Sequence, residues 1–364
     1  MAVGERVRRV HWTLVVPLLA VPLLAATWGA EPPAAVLVVV ALFLAGSVLS
    51  AVHHAEVVAH RVGEPFGSLV LAVAVTVIEV GLIVTLMVSG GSDTATLARD
   101  TVFAAVMITC NGILGLSVLV GALRRRFAEF NAEGTATALA TVSTLATLTL
   151  VLPTFTTSRP GPEFSPGQLA FAAVASIALY GLFVVVQTVR HRDYFVPVGA
   201  VAGDPDEHAI PPSDREALTS LALLVVSLVA VVGLAKVESP AIEDAVAAVG
   251  APASAVGVVI ALMVLAPETL AAYRNARRDR VQTSLNLALG SAMASIGLTI
   301  PALAVATIWL DAPLELGLGA TQMVLLVITV VVGALTVLPG RATVQEGGVH
   351  LVLFGAFLFL AVNP

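Results

Sequence analysis

Apolar runs of about 20 residues, the length that carries an α-helix across the roughly 30 Å hydrocarbon layer of a bilayer, succeed one another along almost the whole sequence. Each is closed by a short polar stretch or by Gly and Pro. They fall at about 11–29, 34–55, 66–88, 101–123, 135–157, 167–189, 217–236, 252–274, 283–308, 317–338 and 347–362, taking the ends to about four residues. A chain of 364 residues with 58% hydrophobic and 12% charged residues and a mean hydropathy of +0.98 cannot hide that surface in one water-soluble core. It needs lipid as its partner. The fold class expected is an all-α integral membrane protein with about 11 transmembrane helices.

Lys and Arg resist translocation and collect in cytoplasmic loops, so their distribution tests the segmentation and orients it. Alternate loops from the N-terminus hold Arg6, Arg8, Arg9, Arg61, Arg124, Arg125, Arg126, Arg190, Arg192, Arg215, Arg274, Arg277, Arg278, Arg280 and Arg341, while the other loops hold Arg99, Arg159 and Lys236. Fifteen of the 18 basic residues thus lie on one side. An omitted or invented span would scramble this alternation. The expected orientation has the N-terminus cytoplasmic and the C-terminus outside. The first run exceeds the roughly 7–15 residues of a signal-peptide core and is expected to be a retained helix. A net charge of −6 offers nothing to nucleic acid, and the single cysteine, Cys110, excludes an intrachain disulfide.

The stretch 191–216 is the most polar inside the chain, with Asp193, Asp204, Asp206, Glu207, Asp214, Glu216 and four prolines. It reads as an acidic cytoplasmic linker. The expected organisation is an N-terminal transmembrane helix at 1–33, a first five-helix repeat at 34–190, this linker, and a second five-helix repeat at 217–364. An odd number of spans per repeat makes the second enter the membrane in the opposite sense. Such inverted repeats are characteristic of secondary transporters, whose site lies near the midplane where the halves meet. The second helix of each half carries one glutamate, Glu79 in 66–88 and Glu268 in 252–274.

An ionised carboxylate at the bilayer centre costs about 2.5–3.5 kcal/mol, so such a residue marks function by default. No basic residue within the spans is available to pair with either glutamate. Burial favours the protonated carboxyl and a bound cation favours the ionised one, so proton and metal compete for the same oxygens. Exposed alternately to either side, the pair would exchange cations for protons. A hard cation such as Ca²⁺ takes 6–8 oxygen ligands, which requires carbonyls, hydroxyls and amides nearby. Pro267 has no N–H to offer the backbone carbonyl of Met263, and Pro301 none to offer that of Gly297. The ninth span adds Asn286, Gly290, Ser291, Ser295 and Thr299, and the fourth adds Thr109 and Asn111. Small hydroxylated residues also serve close helix packing, which explains the Ser and Gly positions as well; it explains Asn111 and Asn286 less. His53, His54 and His60 read as solvated residues at a span end. No Walker A motif, nucleophile elbow or HExxH zinc motif occurs, so ATP-driven transport and the common hydrolases lose support.

These glutamates and their surroundings resemble the calcium/proton antiporter family of the cation/calcium exchanger superfamily, and most of all its bacterial sodium-calcium/proton branch. The resemblance spans nearly the whole chain. It rests on AEVVAHRVGEPFG from Ala55 to Gly67, on Glu79 beyond it, on LAPE ending at Glu268, on SLNLALGSAMASIGLTIP from Ser284 to Pro301, and on GRATVQEGGVHLVLF from Gly340 to Phe354. Where the family carries Gly-Asn before each acidic residue, this chain has Val75-Thr76 and Val264-Leu265. Thr269 stands where a histidine often follows the second glutamate. Val106-Met107 replaces the first region's Gly-Ser, and Ala294 a glutamine of the second.

The resemblance implies, with the residues, a proton-coupled cation antiporter of a bacterial cytoplasmic (inner) membrane rather than an enzyme. Glu79 and Glu268 are expected to bind cation or protons, with Asn111, Asn286, Ser291 and the Met263 carbonyl assisting. Pro267, Gly290, Pro301 and Glu64 are expected in structural or gating roles. Ca²⁺ is the first expectation for the ion, Na⁺ or K⁺ in exchange for H⁺ the second, and no cofactor is expected beside the transported ions. An ion channel would need a continuous pore, and an intramembrane enzyme a nucleophile or catalytic metal motif beside the glutamates.

Overall fold

The computed structural model describes residues 3–63, 66–90, 94–197, 211–309 and 314–364, with side chains for all of these except 3–11, 68, 89 and 90. Eleven helices account for nearly all of it: α1 (Val3–Thr27), α2 (Ala34–Val62), α3 (Phe66–Gly90), α4 (Leu97–Arg125), α5 (Ala132–Phe155), α6 (Pro166–Arg190), α7 (Asp214–Ala248), α8 (Ala255–Arg277), α9 (Val281–Ala306), α10 (Ala320–Val337) and α11 (Val344–Val362). Ten of them, α2 to α11, are long and apolar enough to cross a bilayer, whereas the apolar part of α1, Trp12–Thr27, is shorter. The outer surfaces remain greasy, as lipid contact requires: Leu42 is 67% exposed and Val352 72%.

Several helices outrun their apolar segments. The seventh span, expected to close near 236, continues as α7 to Ala248 through Glu238, Pro240, Glu243 and Asp244. Its N-terminus is set by a reciprocal cap, in which Ser213 accepts from the Glu216 backbone and Glu216 accepts from the Ser213 backbone and hydroxyl. Likewise α2 runs past residue 55 to Val62 and stops at Gly63, whose φ of 74° is the left-handed conformation open to glycine.

The helices form two compact units that cut across the order of the sequence. One comprises α1, α2, α3 and α7. Here α2 lies against both α7 and α3, and α1 covers α2 and α7. The Ser50 hydroxyl donates to the Thr13 carbonyl at 2.6 Å, and His54 Nε2 donates to the same oxygen at 3.1 Å. His54 is therefore buried against α1 rather than solvated as expected, while His60 is exposed. Arg61 bonds Asp214, joining the end of α2 to the start of α7. Lys236 on α7 sits 4.9 Å from the Trp28 ring centroid, which accounts for one of the three basic residues outside the loop alternation.

The other unit comprises α4, α5, α6, α8, α9, α10 and α11. Its centre is α4, buried over most of its length and packed by α8, α9 and α11. Glycines set how closely they approach. A Cβ at Gly257 of α8 would fall 2.8 Å from the Thr101 backbone nitrogen, and one at Gly115 of α4 would fall 2.7 Å from the His350 Cβ on α11. Two antiparallel residue pairs, Ala128 with Ala342 and Glu129 with Arg341, tie the loop after α4 to the loop after α10. Three helices carry π-helical turns, at Ile108–Ile113 in α4, Thr147–Val151 in α5 and Val186–Arg190 in α6. The first residues of the expected linker are packed in this unit, with buried Phe195 edge-on to Phe183 at 5.6 Å.

Candidate cation and proton site

Glu79 projects from the middle of α3, a helix made apolar almost throughout by Val, Ile, Leu and Ala, and is 3% exposed. Around it Ile78, Leu82 and Ile83 are fully buried. Thr76, one of the residues standing in place of Gly-Asn, turns its hydroxyl back to the Ala72 carbonyl at 2.8 Å. Two residues beyond the glutamate, Gly81 lets Val232 of α7 come up to the α3 backbone.

Glu268 occupies the matching place in α8 and is 8% exposed. Pro267 lies inside a continuous helix, as does Pro301 in α9, so each removes one hydrogen bond without breaking the rod. The Met263 carbonyl has no N–H four residues on. Thr269 spends its hydroxyl on the Leu265 carbonyl at 2.7 Å. Gly290 and Ser291 follow along α9 and are half-buried, and nothing lies within 4 Å of where a Cβ at Gly290 would stand. The glycine there leaves open space instead of a close helix contact. Glu64, expected in a structural or gating role, lies outside the described residues.

The two asparagines are anchored by the protein itself. Asn111 sits in the π-helical turn of α4, fully buried, giving an Nδ2 hydrogen to Thr329 Oγ1 at 2.8 Å and lying 3.1 Å through Oδ1 from His350 Nδ1. Asn286 accepts from Gln282 Nε2 at 2.7 Å and donates to the Phe195 carbonyl at 2.6 Å. Gln282 in turn accepts from the Asn131 backbone at 2.6 Å. Each amide therefore has an orientation imposed by its neighbours and keeps only part of its bonding capacity.

Sequence reasoning passed over His350 although the run carrying it was conspicuous. A titratable side chain inside an apolar span is the same signal that singled out Glu79. It also passed over Asp100, which is 3% exposed near the start of α4 and accepts from Arg99 Nε at 2.9 Å, Thr96 Oγ1 at 2.8 Å and Gln322 Nε2 at 3.0 Å. Among the described residues no three His, Cys, Asp or Glu side chains converge as a resident metal centre would require.

Buried carboxylates inside the spans of a membrane-embedded helical protein are the mark of an ion-transporting membrane protein. Comparison with known proteins makes this specific. The sodium/calcium exchanger protein family matches residues 33–189 and 219–363, and the chain belongs to that family. It is 44% identical over 365 residues to y4hA of Sinorhizobium fredii, covering 99% of each chain. It is also 34% identical to the sodium-potassium/proton antiporter ChaA of Escherichia coli over 97% of this chain and 96% of that one. Among solved structures, YfkE superposes with a TM-score of 0.70 at 17% identity, covering 97% of this chain and all of that one. An H⁺/Ca²⁺ exchanger, CAX, gives 0.68 at 17% identity, covering 98% and 89%. These two likenesses establish the fold. The chain is a multi-pass membrane cation antiporter.

Proposed function

We propose that the chain exchanges a metal cation for protons across the bacterial inner membrane by alternating access, with Glu79 and Glu268 holding cation or protons in competition. The observation that carries this reading is the burial of both carboxylates, 3% and 8% exposed, within spans of a chain that belongs to an exchanger family. A buried carboxyl is cheapest when protonated, and a cation arriving at its oxygens displaces the proton. The coupling follows from that competition and needs no nucleotide or cofactor. The two family matches, one on either side of residues 190–218, support the reading of two repeats of opposite orientation with the N-terminus cytoplasmic and the C-terminus outside.

Ca²⁺ is the ion the sequence motifs point to first. Na⁺ or K⁺ is favoured by two observations: the 34% identical relative named a sodium-potassium/proton antiporter, and the engagement of the Asn111 and Asn286 amides by protein partners. The second leaves fewer of the 6–8 oxygens that Ca²⁺ takes. Proteoliposomes with a trapped pH dye decide the matter. Adding Na⁺, K⁺ or Ca²⁺ outside should drive protons out, and the ion that does so at the lowest concentration is the substrate. Cation uptake with no counter-moving protons would refute exchange.

A further inference from the structure

Around Asn111 a chain of buried hydrogen bonds joins α10, α11 and α4, and its direction can be worked out from its ends. The Thr329 hydroxyl gives its only proton to the Leu325 carbonyl at 2.7 Å. It can therefore only accept from Asn111 Nδ2, 2.8 Å away, which turns Asn111 Oδ1 toward the His350 ring. An amide oxygen cannot donate, so the proton of the His350–Asn111 contact belongs to Nδ1. The opposite ring nitrogen, Nε2, then accepts from the Thr336 hydroxyl at 3.1 Å. Thr329, Thr336, His350 and Asn111 are all buried.

Glycines make this contact possible. Gly115 of α4 lets the His350 Cβ approach, and Gly347 of α11 lets the Leu119 backbone approach, with 2.7 Å to a hypothetical Cβ in each case. The motif from Gly340 to Phe354 contains His350 but gave it no role. The structure places it behind Asn111.

We infer that His350 is a positioning residue of the cation site, acting through Asn111 by fixing which end of its amide is oxygen. A carboxamide turned by half a revolution presents an NH₂ group, which repels a cation, in place of an oxygen, which ligates one. Thr329, which spends its proton on the Leu325 carbonyl, and His350, which donates through Nδ1, together favour the present orientation over the turned one. Having accepted one proton, Asn111 Oδ1 retains one lone pair, so His350 sets the direction in which the amide serves an ion without consuming its ability to do so. The amide interrupts any chain of exchangeable protons between His350 and Thr329, which makes this an orienting array and not a proton wire. The inference rests on the exchange reading and on Asn111 as part of the site.

The test is the concentration dependence of cation-driven proton flux in proteoliposomes for the wild type, His350→Leu, His350→Asn and His350→Gln, with Na⁺, K⁺ and Ca²⁺ each supplied in turn. Asn places an N–H near the Nδ1 position and restores the bond to Asn111. Gln reaches the Nε2 position and restores only the bond to Thr336. The expected result is a KM raised roughly tenfold in His350→Leu and His350→Gln, the worth of one buried hydrogen bond. His350→Asn should stay within about threefold of wild type, and the maximal rate should change little in all three. An unchanged KM, a fall confined to the maximal rate, or equal behaviour of the Asn and Gln variants would overturn the inference while leaving exchange standing. Should His350→Leu fail to fold, the Asn and Gln pair decides alone. Absence of cation-driven proton movement in the wild type would overturn both.

Discussion

Replacing Asp100 by Asn keeps the shape of the side chain and removes its charge, and the structure gives that change a large cost. The carboxylate is 3% exposed and accepts from Arg99, Thr96 and Gln322, while the Arg99 side chain is 15% exposed and reaches the Gly317 carbonyl at 3.3 Å. These contacts hold the start of α4, the segment before α10 and the first turn of α10 together. In Asp100→Asn the guanidinium loses its counter-charge, and one of the three donors meets an NH₂ group instead of an oxygen. Breaking a buried ion pair by removing one partner costs about 3–5 kcal/mol. Taking about 2–4 °C per kcal/mol, the unfolding temperature in detergent should fall by roughly 6–20 °C. The assay is thermal unfolding followed by loss of the monodisperse peak on gel filtration. The double variant Arg99→Met/Asp100→Leu, which removes both charges, should recover most of the loss. A shift under about 1 °C in Asp100→Asn, or a double variant no better than the single, would refute the claim that the buried pair orders this end of the unit.

Three further outcomes follow from the geometry. Gly257→Val should destabilise by about 1–3 kcal/mol, because the obstacle at 2.8 Å is the Thr101 backbone and cannot rotate aside. Gly290→Ala should leave thermal stability unchanged or raise it by up to about 1 kcal/mol, since open space surrounds that position; any effect on it should show in transport. Breaking the exposed Arg61–Asp214 pair with Asp214→Asn should change stability by less than about 1 kcal/mol, measured by the same unfolding assay.

The spans were legible because an apolar run of bilayer length has almost no alternative fate, and the helices lie where those runs lie. Their ends were less legible. A hydropathy reading closes a span at its first charges, but a helix requires only acceptable backbone propensity, so α7 continues through Glu238 to Ala248 and α2 through His60 to Val62. Composition announced that Glu79 and Glu268 would be expensive in lipid, and both are buried. What single residues could not announce was their partnerships. Arg99 looked like an exception to the loop alternation until Asp100 was seen to neutralise it, and Asn111 looked like a free ligand until Thr329 and His350 were seen to hold it. The two Asn111 contacts span 218 and 239 positions in the chain and arise from the packing of α4 against α10 and α11.

The central claim is that one pair of carboxylates serves both ions. In proteoliposomes with a trapped pH dye and a tracer for the driving cation, the wild type should move cation and protons in opposite directions. Glu79→Gln and Glu268→Gln, which mimic the permanently protonated carboxyl, should each abolish both fluxes while the protein remains folded. Cation and proton exchange that persists at the wild-type rate in either variant would contradict the account.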